Sequence, residues 1–248
     1  MTARALKTFV LGSGVALAFG FAGSGPTAVP GGTPATDVTT AGDVAAAIAG
    51  VANEMATASL AAVPARVRYV LSPDGTEARY RVREQLARID FPSDAVGATK
   101  AVEGGITIED DGTIVGAESK ITVDVSTLAT DNSRRDNYVR RRTLETETHP
   151  TVVLVPTSLR GLTFPLPTTG EATFELNGEL TIRGVTRATT WNVTARFAGA
   201  AIHGTAKTSF TFEQFEMTKP SVASVLSVED DIRLELDFHL VPAGAGGA

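Results

Sequence analysis

The sequence of 248 residues contains no cysteine. A disulfide framework, a thiolate nucleophile, a cysteine-ligated metal centre and a lipid-modified cysteine anchor are therefore all excluded. Positive charge is also scarce, because 22 Lys and Arg stand against 28 Asp and Glu and give a formal net charge of −6. This balance argues against a nucleic-acid-binding protein, which normally carries a basic face. With 43% hydrophobic and 20% charged residues, the remaining composition is that of an ordinary globular protein.

A long hydrophobic run is missing as well. Arg4 and Lys7 precede an uncharged run from Phe9 to Gly25, which is shorter than the roughly 20 residues that cross a bilayer. This pattern predicts a signal peptide over residues 1–25, with an uncleaved N-terminal anchor as the alternative. Either interpretation exports the rest of the chain to the periplasm or the extracellular space. We expect membrane contact only through this segment, and only if it stays uncleaved.

Residues 26–65 are dominated by Ala, Thr, Gly, Pro and Val and carry few charges. Such a composition does not bury enough apolar surface to fold on its own, so we interpret this stretch as a linker. Four apolar side chains within it are spaced as on one face of a short amphipathic helix: Val44, Ile48, Val51 and Met55. We predict a folded domain over residues 66–241 and a flexible tail over residues 242–248.

Within the predicted domain, apolar and polar side chains alternate repeatedly, which is the pattern of antiparallel strands with one buried face. The clearest alternation runs from Ile232 to Leu240. Asp111-Gly112 and Gly184 mark two hairpins between alternating segments. About eight or nine such strands fit either a closed β-barrel or a β-sandwich, and alternation alone does not separate them. A polar, helix-compatible stretch over residues 130–139 interrupts the strands and predicts a short helical insertion.

Three stretches of the domain carry a recognisable pattern, of which the second is the most specific. They contain Leu128, Thr130, Arg135-Asp136, Val139, Leu144 and Pro150; the continuous run from Gly178 to Arg187; and Phe215, Met217, Pro220, Val228, Asp230 and Asp231. Together they resemble the YceI-like family of bacterial exported lipid-binding proteins. The sequence departs from the family's pattern at Leu144, His149 and Ala188, where an aromatic residue, a tyrosine and a proline are usual.

The resemblance implies an all-β fold, namely an extended antiparallel, lipocalin-like barrel whose apolar lumen holds a polyisoprenoid or another long-chain lipid. It implies carriage, storage or sequestration of that lipid in the cell envelope, with no catalysis and no cofactor. If the apolar faces of the strands line the lumen, the lipid-binding residues are Tyr80, Phe174, Leu176, Leu180, Ile182, Trp191, Val193, Phe197, Phe210, Phe212, Leu234, Leu236 and Phe238.

Side chains with acid-base or metal-binding chemistry are few. The three histidines, His149, His203 and His239, fall in a loop or on polar strand faces. We therefore predict neither a catalytic residue nor a metal site.

The helical insertion carries a basic cluster, five arginines within a stretch of nine residues: Arg134, Arg135, Arg140, Arg141 and Arg142. One interpretation is a solvated helix face neutralised by neighbouring carboxylates. The other is that Arg140, Arg141 and Arg142 pair with an anionic head group at the barrel mouth, because guanidinium binds phosphate bidentately. Arg135 belongs to the Arg-Asp pair of the resemblance and is expected to be structural.

Two other functions stay open from the sequence. A sandwich-type envelope-stress or adhesion module would have a filled core and no cavity. An enzyme acting on a bound amphiphile would need polar groups inside the lumen, such as an interior Asp, Glu or His. A homodimer is also left open.

Overall fold

The computed structural model describes residues 65–87 and 90–244. The predicted signal peptide, nearly all of the predicted linker with its short helix, and the last four residues lie outside the described residues, so those predictions stay predictions. The described strands are β1 (Arg66–Leu71), β2 (Glu77–Leu86), β3 (Ser93–Thr99), β4 (Val102–Glu109), β5 (Lys120–Asp124), β6 (Thr151–Arg160), β7 (Thr169–Ile182), β8 (Val185–Ala198), β9 (Ala201–Phe210) and β10 (Val225–Pro242).

Eight of these strands close into an antiparallel ring in the order β1-β4-β5-β6-β7-β8-β9-β10. The ring is closed by the pairing of β1 with β10, in which Val70 lies opposite Val241. Closure leaves no free edge in the ring, which is the physical difference between a barrel and a sandwich. The predicted antiparallel barrel is confirmed, and the sandwich alternative does not describe this fold.

The long strand β10 pairs with two different strands, β1 and β2, along the same edge. Its last residues pair with β1, while the stretch from Val225 to Asp237 pairs with β2. β3 follows on the outer side of β2. Two register shifts, between Val225 and Ser227 and between Val228 and Ile232, break the ladder between β10 and β2. Bulges of this kind bend a strand, so β2 and β3 extend the wall beyond the ring.

The predicted helical insertion is confirmed as helix α1 (Ser133–Tyr138), which continues into a π-helical turn (Val139–Thr143). The side chain of Asn132 caps α1 by accepting hydrogen bonds from the first backbone N–H groups of the helix. The carboxylate of Asp136 accepts hydrogen bonds from the backbone N–H and the hydroxyl of Thr130, at 2.8 and 2.6 Å. These bonds fix the start of the insertion against the preceding loop.

The two predicted hairpins differ in their turns. β7 and β8 are joined by Arg183 and Gly184, both with positive φ, as a two-residue turn of this kind requires. β4 and β5 also pair, but only Gly112 of the Asp111-Gly112 turn has positive φ, and a 3₁₀ turn (Gly116–Glu118) follows before β5. The connection between β4 and β5 is therefore longer than the predicted two-residue turn.

Candidate functional site

The barrel contains a cavity of about 1090 Å³, which we call the main cavity. This volume is above the range of roughly 300–1,000 Å³ that is typical of small-molecule pockets. Its walls are mostly apolar, and Leu180, Ile182 and Trp191 on β7 and β8 are at most 4% exposed. Apolar walls give water few hydrogen-bonding partners, so the space suits an apolar guest.

A second space, of about 80 Å³, lies at the other end of the barrel and is lined mainly by apolar residues. We call it the small cavity. Leu162, Phe164 and Leu166, from the connection between β6 and β7, pack against the core at this end. Ile121, Leu154 and Leu236 border both spaces and form the layer between them. The barrel is therefore filled at one end and hollow at the other.

All of the predicted lumen residues line one of the two cavities. The main cavity is lined by Tyr80, Leu180, Ile182, Trp191, Phe210, Phe212 and Leu234, the small cavity by Phe174, Leu176, Val193, Phe197 and Phe238, and both by Leu236. Because the small cavity has room for only a few atoms, the second group fills the closed end. Contact with a lipid stays a prediction for every one of these residues.

The main cavity opens to solvent where three segments meet: the end of β2, the start of α1 and the connection between β9 and β10. We define the mouth by the cavity-lining residues that are also exposed: Ala87, Asn132, Arg134, Val222, Ala223 and Ser224. The backbone N–H of Ala87 donates to the carbonyl of Ser224 at 3.1 Å, which ties two of these segments together.

Arg134 is the arginine at the mouth, and in the described part of the chain its guanidinium has no ion-pair partner. The predicted head-group residues, Arg140, Arg141 and Arg142, do not line the main cavity. Val139 and Thr143, at the two ends of the π-helical turn, do line it. Of the three arginines between them, Arg140 donates from Nη1 to the backbone carbonyl of Leu128 at 3.2 Å, and Arg141 and Arg142 are exposed.

A buried ion pair connects α1 to the barrel wall beside the main cavity. An Nη2–Oε1 contact of 2.5 Å joins Arg135 to Glu84 of β2, whose side chain is 9% exposed, and Arg135 also contacts Asp131 at 2.5 Å. This agrees with the structural role expected for Arg135. Sequence reasoning missed Glu84, although a signal was present, since it shares the cavity-facing parity of Tyr80 and Val82 on β2.

Tyr80 of β2 lies in the wall of the main cavity. Burial raises its pKa to about 12, while the nearby Arg135 charge acts in the opposite direction. The phenol is thus uncharged at neutral pH and brings no negative charge to the wall. Its ring lies against Gly97 of β3, where a Cβ would come within 2.2 Å of the ring. Glycine at that position makes room for the tyrosine.

The described residues bring together no group of three or more His, Asp or Glu side chains that could hold a metal ion. His203 and His239 stack on each other across β9 and β10, with ring centroids 4.0 Å apart, and neither lines a cavity. Over the same described stretches, no helix is long and apolar enough to span a membrane.

A closed antiparallel barrel with one open, apolar interior defines a class of proteins that can enclose a single small ligand. The model of the YceI-like domain matches residues 69–240. The chain belongs to this family, as its sequence pattern indicated. A comparison with curated proteins gives no match.

Solved structures are similar to this chain at low sequence identity. A polyisoprenoid binding domain from Saccharophagus degradans, implicated in plant cell wall breakdown, is 12% identical with a TM-score of 0.54, covering 71% of this chain and 99% of that one. BcnA from Burkholderia cenocepacia is 18% identical with a TM-score of 0.49, covering 69% and 98%. The YCEI protein of Campylobacter jejuni is 16% identical with a TM-score of 0.47, covering 62% and 88%.

Proposed function

We propose that this protein binds one long-chain isoprenoid or similar amphiphilic lipid in its main cavity and carries, stores or sequesters it in the cell envelope. The main cavity carries the proposal, because an apolar space of about 1090 Å³ with one mouth matches a single long apolar chain better than a compact polar molecule. Each buried CH₂ contributes about 0.8 kcal/mol, so affinity would rise with chain length and selectivity would be loose. Export, expected from the N-terminal sequence, is part of the proposal.

The polyisoprenoid binding named for the Saccharophagus degradans domain supports a long-chain cargo on a related fold. An enzyme acting on a bound amphiphile is the weaker candidate. Glu84 is an interior carboxylate of the kind that would favour it, but its Oε1 is held by Arg135 at 2.5 Å. This contact commits the carboxylate to holding α1 on the barrel rather than to proton transfer.

Native mass spectrometry of the protein purified without detergent tests the proposal. We expect one adduct per chain, which solvent extraction removes and identifies as a polyprenyl or other long-chain lipid. A mass without an adduct, unchanged after incubation with polyprenyl phosphates, quinones and fatty acids, would overturn it. Trp191 gives a second measurement, because it is the only tryptophan and lines the main cavity. Brominated fatty acid should quench its emission with one-to-one stoichiometry.

The position of Arg134 leads to a prediction about the lipid head group. Arg134→Gln should weaken binding of a polyprenyl phosphate about fivefold at low salt, because an exposed guanidinium contributes up to about 1 kcal/mol to an ion pair. Binding of the uncharged polyprenol should not change. Arg141→Gln is the matched control, since Arg141 is exposed but does not line the cavity. Equal effects of both substitutions on the phosphate would contradict the assignment.

A further inference from the structure

The exposed apolar side chains of the barrel are concentrated at one place. In the described part of the chain, four large hydrophobic residues are exposed: Phe91 (79%), Leu226 (68%), Val67 (42%) and Val222 (37%). Single exposed apolar residues are common and need no explanation. Three of these four, however, lie on or next to segments that form the mouth of the main cavity: Phe91 follows β2, Val222 lies in the connection between β9 and β10, and Leu226 lies at the start of β10. Val67 lies on β1 at the other end of the barrel.

Backbone pairing places these three residues around the mouth. Val222 itself lines the main cavity. Leu226 sits at the register shift of β10, next to Val225, which pairs with Leu86 of β2. Phe91 lies in the connection from β2 to β3, two residues before Ser93, whose partner is the cavity-lining Glu84. The apolar interior therefore continues outward onto an apolar rim, which we define as Phe91, Val222 and Leu226.

Positive charge accompanies the rim in a chain that is acidic as a whole. Arg134 at the mouth and Lys219, next to the cavity-lining Pro220, are both exposed and have no ion-pair partner among the described residues. Two carboxylates oppose these charges: Asp90 beside Phe91, and Asp131, which is paired with Arg135, beside the mouth residue Asn132. Apolar side chains next to unpaired cations are the combination that binds at the surface of an anionic bilayer.

We propose that the rim docks the cavity mouth onto an anionic lipid bilayer, so that a lipid passes between membrane and cavity without crossing water. The meaning of this contact rests on the proposed function, although the contact can be measured without it. A bilayer is favoured over a protein partner because the rim is continuous with the interior proposed for a lipid. This contact goes beyond the expectation from the sequence, which allowed membrane contact only through the N-terminal segment.

Tryptophan reporters in the full chain test the proposal site by site. Phe91→Trp and Leu226→Trp place the probe on the rim, and Val67→Trp is the matched control at the closed end. Each variant is added to vesicles of phosphatidylcholine and phosphatidylglycerol whose acyl chains carry bromine, and the signal of the native chain, which contains only Trp191, is subtracted. We expect about twofold quenching at positions 91 and 226, little at 67, and less at all sites with phosphatidylcholine alone.

The control site separates rim docking from attachment through the N-terminus, which would bring the whole chain to the vesicle without inserting the rim. Equal quenching at positions 67 and 91, or none at 91, overturns the proposal. A blue-shifted emission at position 91 without vesicles also overturns it, because a second copy or the chain's own N-terminal region would then cover the rim. Native mass spectra recorded in parallel distinguish the two proposals. Bound lipid with an unquenched rim counts against docking alone, and a quenched rim without bound lipid counts against the cargo alone.

Discussion

Replacing Arg135 with methionine is expected to lower the free energy of unfolding by about 3 kcal/mol, a large part of the 5–15 kcal/mol that holds a typical domain folded. The substitution leaves the carboxylate of Glu84 in the barrel wall, 9% exposed, without its cation. Breaking a buried pair in this way costs roughly 3–5 kcal/mol. The lower end applies here because the Arg135 side chain keeps 18% of its exposure. Urea unfolding followed by circular dichroism measures the loss.

Two further variants make this result specific. Arg66→Met removes an exposed ion pair, in which the Arg66 and Glu118 side chains are 50% and 38% exposed, and should cost less than about 1 kcal/mol. Glu84→Gln combined with Arg135→Met leaves no buried charge and should recover most of the lost stability. Equal losses for Arg135→Met and Arg66→Met, or a double variant as unstable as the sum of its parts, would contradict the role of the pair.

The strands could be predicted because their signals are local. Alternation along Ile232 to Leu240 fixes which side chains face inward, whatever the neighbouring strand is, and the turn at Arg183-Gly184 needs only its own two residues. β3 (Ser93–Thr99) is the counterexample. Its inward positions are Ala95, Gly97 and Thr99, which are too small to produce a hydrophobic pattern. These small residues leave room for Tyr80 and the main cavity. The same small side chains give β3 no alternation of large apolar residues, so the sequence pattern does not reveal this strand.

The mouth and the division of the barrel were not predictable from the same patterns. Which end is filled depends on packing between strands far apart in the chain. Glu84 and Arg135 are 51 residues apart, and no local rule pairs them. The head-group prediction favoured Arg140 to Arg142, whereas Arg134 lies at the mouth. Which side of the insertion faces the cavity depends on how the insertion packs on the barrel, and the sequence pattern does not show this.

Filling the main cavity should shorten the lipid that the protein accepts. Ala78 on β2 and Ala95 on β3 both line the cavity, and replacing both with phenylalanine puts two rings into space proposed for the lipid chain. If the rings displace the equivalent of about four CH₂ groups at about 0.8 kcal/mol each, affinity for a chain that fills the cavity falls roughly 200-fold. A short-chain analogue should bind almost as before. Competition against a fluorescent fatty acid measures both.

A loss of affinity that grows with lipid chain length shows that the rings fill the cavity, whereas a loss at every chain length would indicate a damaged fold. Ala188→Phe is the matched control, because it makes the same chemical change on the exposed face of β8 and should leave both affinities unchanged. Overpacking a filled core usually costs about 1–3 kcal/mol, but rings that enter empty space need displace no side chain, so the double variant should unfold at nearly the native urea concentration. If native stability persists while long and short chains both keep their affinity, the lipid does not occupy the main cavity. Loss of long-chain binding alone would place the lipid tail in the main cavity, against the inner faces of β2 and β3 at Ala78 and Ala95.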